Sequence, residues 1–136
     1  MVYFGRMLDK IRIKARGALP GDYNTGTRDW YDFDSRCTRF LRVRYPELLR
    51  RTLAGGSGAE VLRWCFRKGR RPGPEEFEIW NAFMAKRGRA DATSRSLQES
   101  KRRAGLQGND AIVTWFGLFD ADEGRKGLRP GPRSGR

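Results

Sequence analysis

The sequence has no histidine at all. That single absence removes Ser-His and Cys-His nucleophile activation, the commonest general base, and every histidine-dependent zinc site. Cysteine is scarce too: Cys37 and Cys65 are the only two, far apart and in no C-x-x-C pair, so a four-cysteine zinc site is also excluded. Each falls at helical core spacing beside Leu and Phe, the setting of a buried, inert thiol in a reducing cytoplasm. No apolar run approaches the length that crosses a bilayer, and the charges in MVYFGRMLDKIR interrupt the place where a signal peptide would need its apolar stretch. A cytoplasmic protein without membrane contact is expected. No alternating run is long enough to force a strand, and no repeat recurs.

What is present in excess is positive charge, a net +13 over 136 residues. Five cations and no acid fall in the last dozen residues (RKGLRPGPRSGR), so that stretch carries +5 and the rest +8. Arginine outnumbers lysine, which a GC-rich genome produces without selection for binding. A basic surface is therefore either a solvated one or a polyanion-binding one.

Periodicity predicts an all-α, compact, single-domain irregular bundle of six to seven short helices, with a long aromatic loop and a flexible basic tail. The helical domain is placed at 1–125 and the disordered tail at 126–136. The organising helix is Pro74–Gly88: Phe77, Trp80 and Met84 form one stripe, widened by Phe83, with acids in the first turn and Lys86 and Arg87 in the last. Burying its large aromatics would contribute about 1.5–3 kcal/mol each. Helix one, from about Phe4 to Arg16, buries Phe4, Met7, Leu8, Ile11 and Ala15 and carries Asp9, Arg12 and Arg16 on a flank. Gly17 to Phe33 reads as an Ω-type loop pinned by burial of Tyr23, Trp30, Tyr31 and Phe33. Asp34, Asp91 and Asp110 are expected to cap the helices that follow them, and Ser57 with Glu60 to form a capping box. Gly69 ends that helix.

The chemistry-bearing patterns are weak. Gly55-Gly56-Ser57-Gly58 lacks the lysine and preceding strand of a phosphate loop, and its glycines fit a helix end running into a helix start. Asp120, Asp122 and Glu123 suggest a hard-cation loop, but Gly124 and Arg125 stand where a calcium loop needs a ligand and a glycine. No metal site and no cofactor are expected. Asn81, at the edge of the aromatic stripe, needs a hydrogen-bond partner, either structural or a ligand.

RMLDKIR (Arg6–Arg12), DSRCTRFL (Asp34–Leu41), WNAFMAKRG (Trp80–Gly88) and TWFGLFDADEGR (Thr114–Arg125) together resemble an uncharacterised bacterial family known only as a domain of unknown function, DUF5069-like. The chain departs from the family pattern at Arg89 and Gly117. The resemblance implies a small helical domain, and no reaction, cofactor or partner.

Three functions follow. The first is a non-enzymatic binding module whose mixed-charge cluster gathers Asp9, Arg12, Asp34, Arg36, Trp80, Asn81, Asp122, Glu123 and Arg125; the bland alternative is a structural ion-pair network. The second is sequence-blind association with nucleic acid or another polyanion through Arg67, Lys68, Arg70, Arg71, Lys101, Arg102, Arg103, Lys126, Arg129 and Arg133. The third, ranked last because the sequence leans against an enzyme, is acid–base chemistry by Asp9 with Asp122 or Glu123 on a small polar substrate.

Overall fold

The computed structural model describes residues 1–126, with side chains through Gly124. Among the described residues there are seven helices and no strand: α1 (Phe4–Ala15), α2 (Phe33–Leu41), α3 (Tyr45–Leu53), α4 (Gly58–Lys68), α5 (Pro74–Lys86), α6 (Ser94–Arg103) and α7 (Trp115–Lys126). The fold is all-α. None of these helices is long and apolar enough to cross a membrane. The chain divides into two compact units, Met1–Glu78 and a second beginning at Ile79, so the boundary falls inside α5.

In the first unit α1 packs on α3 and α3 on α4. Phe4, Met7, Leu8 and Ile11 of α1 are buried, as are Cys37 and Leu41 of α2, Leu48 of α3, and Val61 and Cys65 of α4. Ala15, expected inside, is exposed. Both cysteines are buried thiols, and burial pushes the Cys65 thiol up to about 12, which keeps it protonated and inert. The capping box forms as its spacing predicts: Glu60 N–H donates to Ser57 Oγ and Ser57 N–H to Glu60 Oε2. Gly69 ends α4 for a reason beyond helix termination. A Cβ there would lie 2.0 Å from the Leu41 carbonyl oxygen, so only glycine lets the ends of α2 and α4 approach this closely. Arg70 then fastens the contact, its backbone N–H donating to Leu41 O and its Nε to Phe40 O.

α5 carries Pro74 at its first position and acids in its first turn. Trp80 and Met84 are buried, Phe77 makes edge contacts with Phe40 and Phe66, and Phe83 is exposed with Arg87 over its ring. The expected stripe is therefore buried at Trp80 and Met84 but open at Phe83.

The second unit is smaller. Leu97, Ile112 and Leu118 form its core, with Leu106 and Trp115 packed against them, and α6 lies on α7. Two predicted caps are displaced. Asp91 sits ahead of α6 and organises the turn, accepting from the N–H groups of Gly88 and Thr93 and from Thr93 Oγ1. Burial alone would raise its pKa, but those bonds and Arg87 outweigh it and hold the carboxyl below its ordinary value. Thr114, and not Asp110, caps α7, accepting from Gly117 N–H.

Candidate functional site

The place where the fold concentrates charge is the floor of the loop between α1 and α2. Lys10 lies at the edge of the α1 apolar stripe and is only 8% exposed. A lysine in that position must find acceptors for its ammonium or lose its proton. It finds three, one for each N–H: Asp34 Oδ1 at 2.9 Å, Tyr3 Oη at 2.8 Å and Asn24 O at 2.7 Å. Tyr3 Oη in turn donates to Asp34 Oδ1, closing a three-membered ring of phenol, ammonium and carboxylate. The other carboxylate oxygen, Asp34 Oδ2, accepts from Gly26 N–H at 2.9 Å.

Asp34 is thus not the N-cap of α2. Asp32 occupies the cap position, and Asp34 sits in the first turn, drawn inward along the stripe it shares with Cys37 and Leu41. Two local conformations serve the ring. Tyr3 has a positive φ of 70°, a strained backbone for an aromatic residue, which carries its phenol onto Asp34 and its ring edge-on to Phe33 at 5.3 Å. Gly26, at φ 81°, lies beside the Tyr45 ring, and it is the left-handed backbone, more than lack of space, that calls for glycine there. Burial and the neighbouring Asp34 carboxylate push the Tyr45 phenol up to about 12.

The same two causes raise Tyr3 well above its ordinary value, so it stays a hydrogen-bond donor. Burial lowers the pKa of Lys10, and Asp34 opposes that shift. With every ammonium proton engaged, Lys10 has no lone pair aimed at a substrate. The ring is built to hold the loop, and its chemistry is that of a clasp.

Above this floor the loop turns two of its aromatics outward. Trp30 is 66% and Tyr31 68% exposed, which overturns the expected burial for these two rings, while Tyr23 and Phe33 are half-buried. Polar contacts, most of them to the loop backbone, hold the segment as well. Besides Asn24 and Gly26, Thr25 Oγ1 accepts from Lys14, the Asp29 carbonyl from Ser35 Oγ, the Trp30 carbonyl from Arg39 and the Tyr31 carbonyl from Arg36. Each of those arginines also lies over a ring: Arg39 at 3.6 Å from the Trp30 centroid, Arg36 at 5.9 Å from that of Tyr31. Loops carry unpaired backbone donors and acceptors, and α1 and α2 supply the partners.

Of the residues proposed from sequence, Asp9 and Arg12 pair at 3.7 Å on the α1 flank, where Arg12 also donates to Gly56 O. Asp34 belongs to the buried clasp and Arg36 to the loop above it. Trp80 is buried and Asn81 half-buried on α5, while Asp122 and Glu123 are half-buried on α7; these four belong to the second unit. The Arg125 and Lys126 side chains, and Arg129 and Arg133 with the rest of the basic tail, lie outside the described residues.

The proposed anion contacts divide. Arg67, Arg71, Arg102 and Arg103 are exposed, Arg71 lying over the Phe66 ring and Arg103 near Glu99. Lys68 pairs with Glu47 at 3.7 Å. Arg70 is engaged by Phe40 O and Glu76, and Lys101 is buried with its ammonium on Ile112 O, which removes both from a phosphate-facing surface. Sequence reasoning missed Tyr3, Lys10, Asn24, Gly26 and Tyr45. The available signal was Asp34 itself: an acid on an apolar stripe requires a buried cation. Among the described residues no cluster of Asp, Glu or Cys could hold a metal ion.

Neither a curated protein nor a solved structure matches the chain. A family model matches residues 1–125, and the chain accordingly belongs to the family described as Domain of unknown function (DUF5069).

Proposed function

We propose that this chain is a non-enzymatic binding protein whose contact surface is the aromatic loop between α1 and α2. The observation that carries this reading is the pair Trp30 and Tyr31, two large rings left in water on a segment whose base is held by a buried ion pair. Exposed apolar surface of this kind is costly in a monomer and marks interaction sites. A loop held by six or more bonds to α1 and α2 presents those rings at low entropic cost, which favours binding. Arg36, over the Tyr31 ring, would form part of its rim.

The test is affinity capture from cell lysate with the intact protein and with the Trp30→Ala/Tyr31→Ala double variant. Equal melting temperatures of the two proteins establish that the fold is intact. The reading expects material retained by the wild type to be missing from the variant. Identical retained material would contradict it.

A further inference from the structure

We infer that the ligand of this loop is single-stranded nucleic acid, with Trp30 and Tyr31 stacking on unpaired bases and neighbouring arginines meeting the phosphates. The inference rests on the binding reading above and gives that surface its partner. Charge favours a polyanion: Lys14 through Arg44 holds seven cations against four acids, and one of those acids, Asp34, is already neutralised by Lys10. The exposed side is therefore more cationic than the count implies.

The rings select the kind of polyanion. Arg36 and Arg39 are three residues apart on α2, which places them about 4.5 Å apart along its axis and on one side of the helix. Each lies over one ring, so both exposed aromatics stand beside the basic side of α2. Arg39 covers one side of the Trp30 indole at 3.6 Å, and the ring remains 66% exposed. Arg36 and Arg39 are held by the Tyr31 and Trp30 carbonyls, so the phosphates fall to exposed cations beside the rings, Arg28 first among them. Ring stacking beside a basic track is how proteins hold single strands without reading sequence. Duplex DNA hides its base faces, and an acidic peptide would satisfy the arginines while giving the rings nothing flat to stack on.

The basic runs at Arg67–Arg71 and Lys101–Arg103 are not needed for this mode, and two of their members are internally engaged. The surface assigned here is a different one, found only when the loop is seen to face outward.

Fluorescence anisotropy of a labelled oligothymidine of about twelve nucleotides, titrated with the intact protein at about 50 mM salt, tests it. Trp30→Ala and Tyr31→Ala are each expected to weaken binding by about tenfold at unchanged melting temperature, and Trp30→Phe to restore it to within about twofold of wild type. Arg28→Gln should lower the slope of log affinity against log salt by about one, whereas Trp30→Ala leaves that slope unchanged. Absence of oligothymidine binding, equal affinity for duplex of the same length, displacement by oligoglutamate at equal charge, or indifference to Trp30→Ala would each overturn the inference. If oligothymidine fails but lysate capture still depends on Trp30 and Tyr31, the nucleic-acid assignment falls and the binding surface stands. If capture is also unchanged, both fall.

Discussion

The two units each bury a lysine, and they hold it in different ways. Lys10 is bound to a carboxylate 24 residues away and to two further oxygens, so it ties α1, the loop and α2 into one piece. Lys101, only 3% exposed, reaches the Ile112 carbonyl at 3.1 Å and straps α6 to the segment just after it. The first is a long-range cross-link between charges; the second is a local tether to a neutral acceptor. A buried charge is stabilising only while its partner is present. The position of the aromatic loop in the first unit thus depends on one ion pair, while the second unit depends on its lysine only for a turn.

Removal of Asp34 should have the largest effect. Asp34→Ala leaves the Lys10 ammonium buried without its counter-charge and should destabilise by about 3–5 kcal/mol, read as a lowered urea midpoint. The double replacement Lys10→Met/Asp34→Leu should recover much of that loss, because no charge is then stranded. A double variant no better than the single would show that shape, and not charge, sets the cost.

Alkaline pH provides the next largest effect. Tyr3, Tyr45, Cys37 and Cys65 all have raised pKa values in the fold, Tyr45 and Cys65 to about 12, against ordinary values of 10.0 and 9.0. The folded chain keeps protons that the unfolded chain releases, so these groups contribute stability that is fully present below about pH 9 and is lost as pH rises toward 12. Lys10 acts in the opposite sense: its folded pKa is lowered from 10.5, so rising pH through that interval favours the fold. Four groups against one predict a urea midpoint that is level to about pH 8.5 and then falls. A midpoint that climbs between pH 9 and 10.5 would mean that Lys10 dominates.

The smallest change belongs to the second unit. Lys101→Met keeps most of the buried stem and removes one donor from the Ile112 carbonyl, at a cost of about 1 kcal/mol. A loss as large as that of Asp34→Ala would erase the distinction between the two lysines.

Much of the fold was legible. The seven helices follow from apolar spacing, and Ser57 with Glu60 met its cap because both partners are local. The three aspartates proposed as caps show where locality ends. Asp34 was drawn inward by Lys10, which no window around residue 34 contains. Asp91 spends its carboxylate on the Gly88–Thr93 turn, and Thr114 lies nearer the true start of α7 than Asp110 does. The loop departs from its sequence for a related reason: Trp30 and Tyr31 stay in water because the backbone of 24–31 finds its partners in Lys10, Asp34, Ser35, Arg36 and Arg39. Of the candidate site, Asp34 and Arg36 could be named from sequence, but not Tyr3, Lys10 or Gly26, because a hydrogen-bonded ring across two helices leaves no periodic trace.

Amide hydrogen exchange at Gly26 probes the clasp most directly, since that N–H donates to the Asp34 carboxylate in the middle of a surface loop. The account predicts slow exchange at Gly26 in the wild type, and exchange at the rate of an open loop in Asp34→Ala under conditions where the α4 amides remain protected. Unprotected exchange at Gly26 in the wild-type protein would contradict it, because the loop would then have no fixed floor from which to present Trp30 and Tyr31.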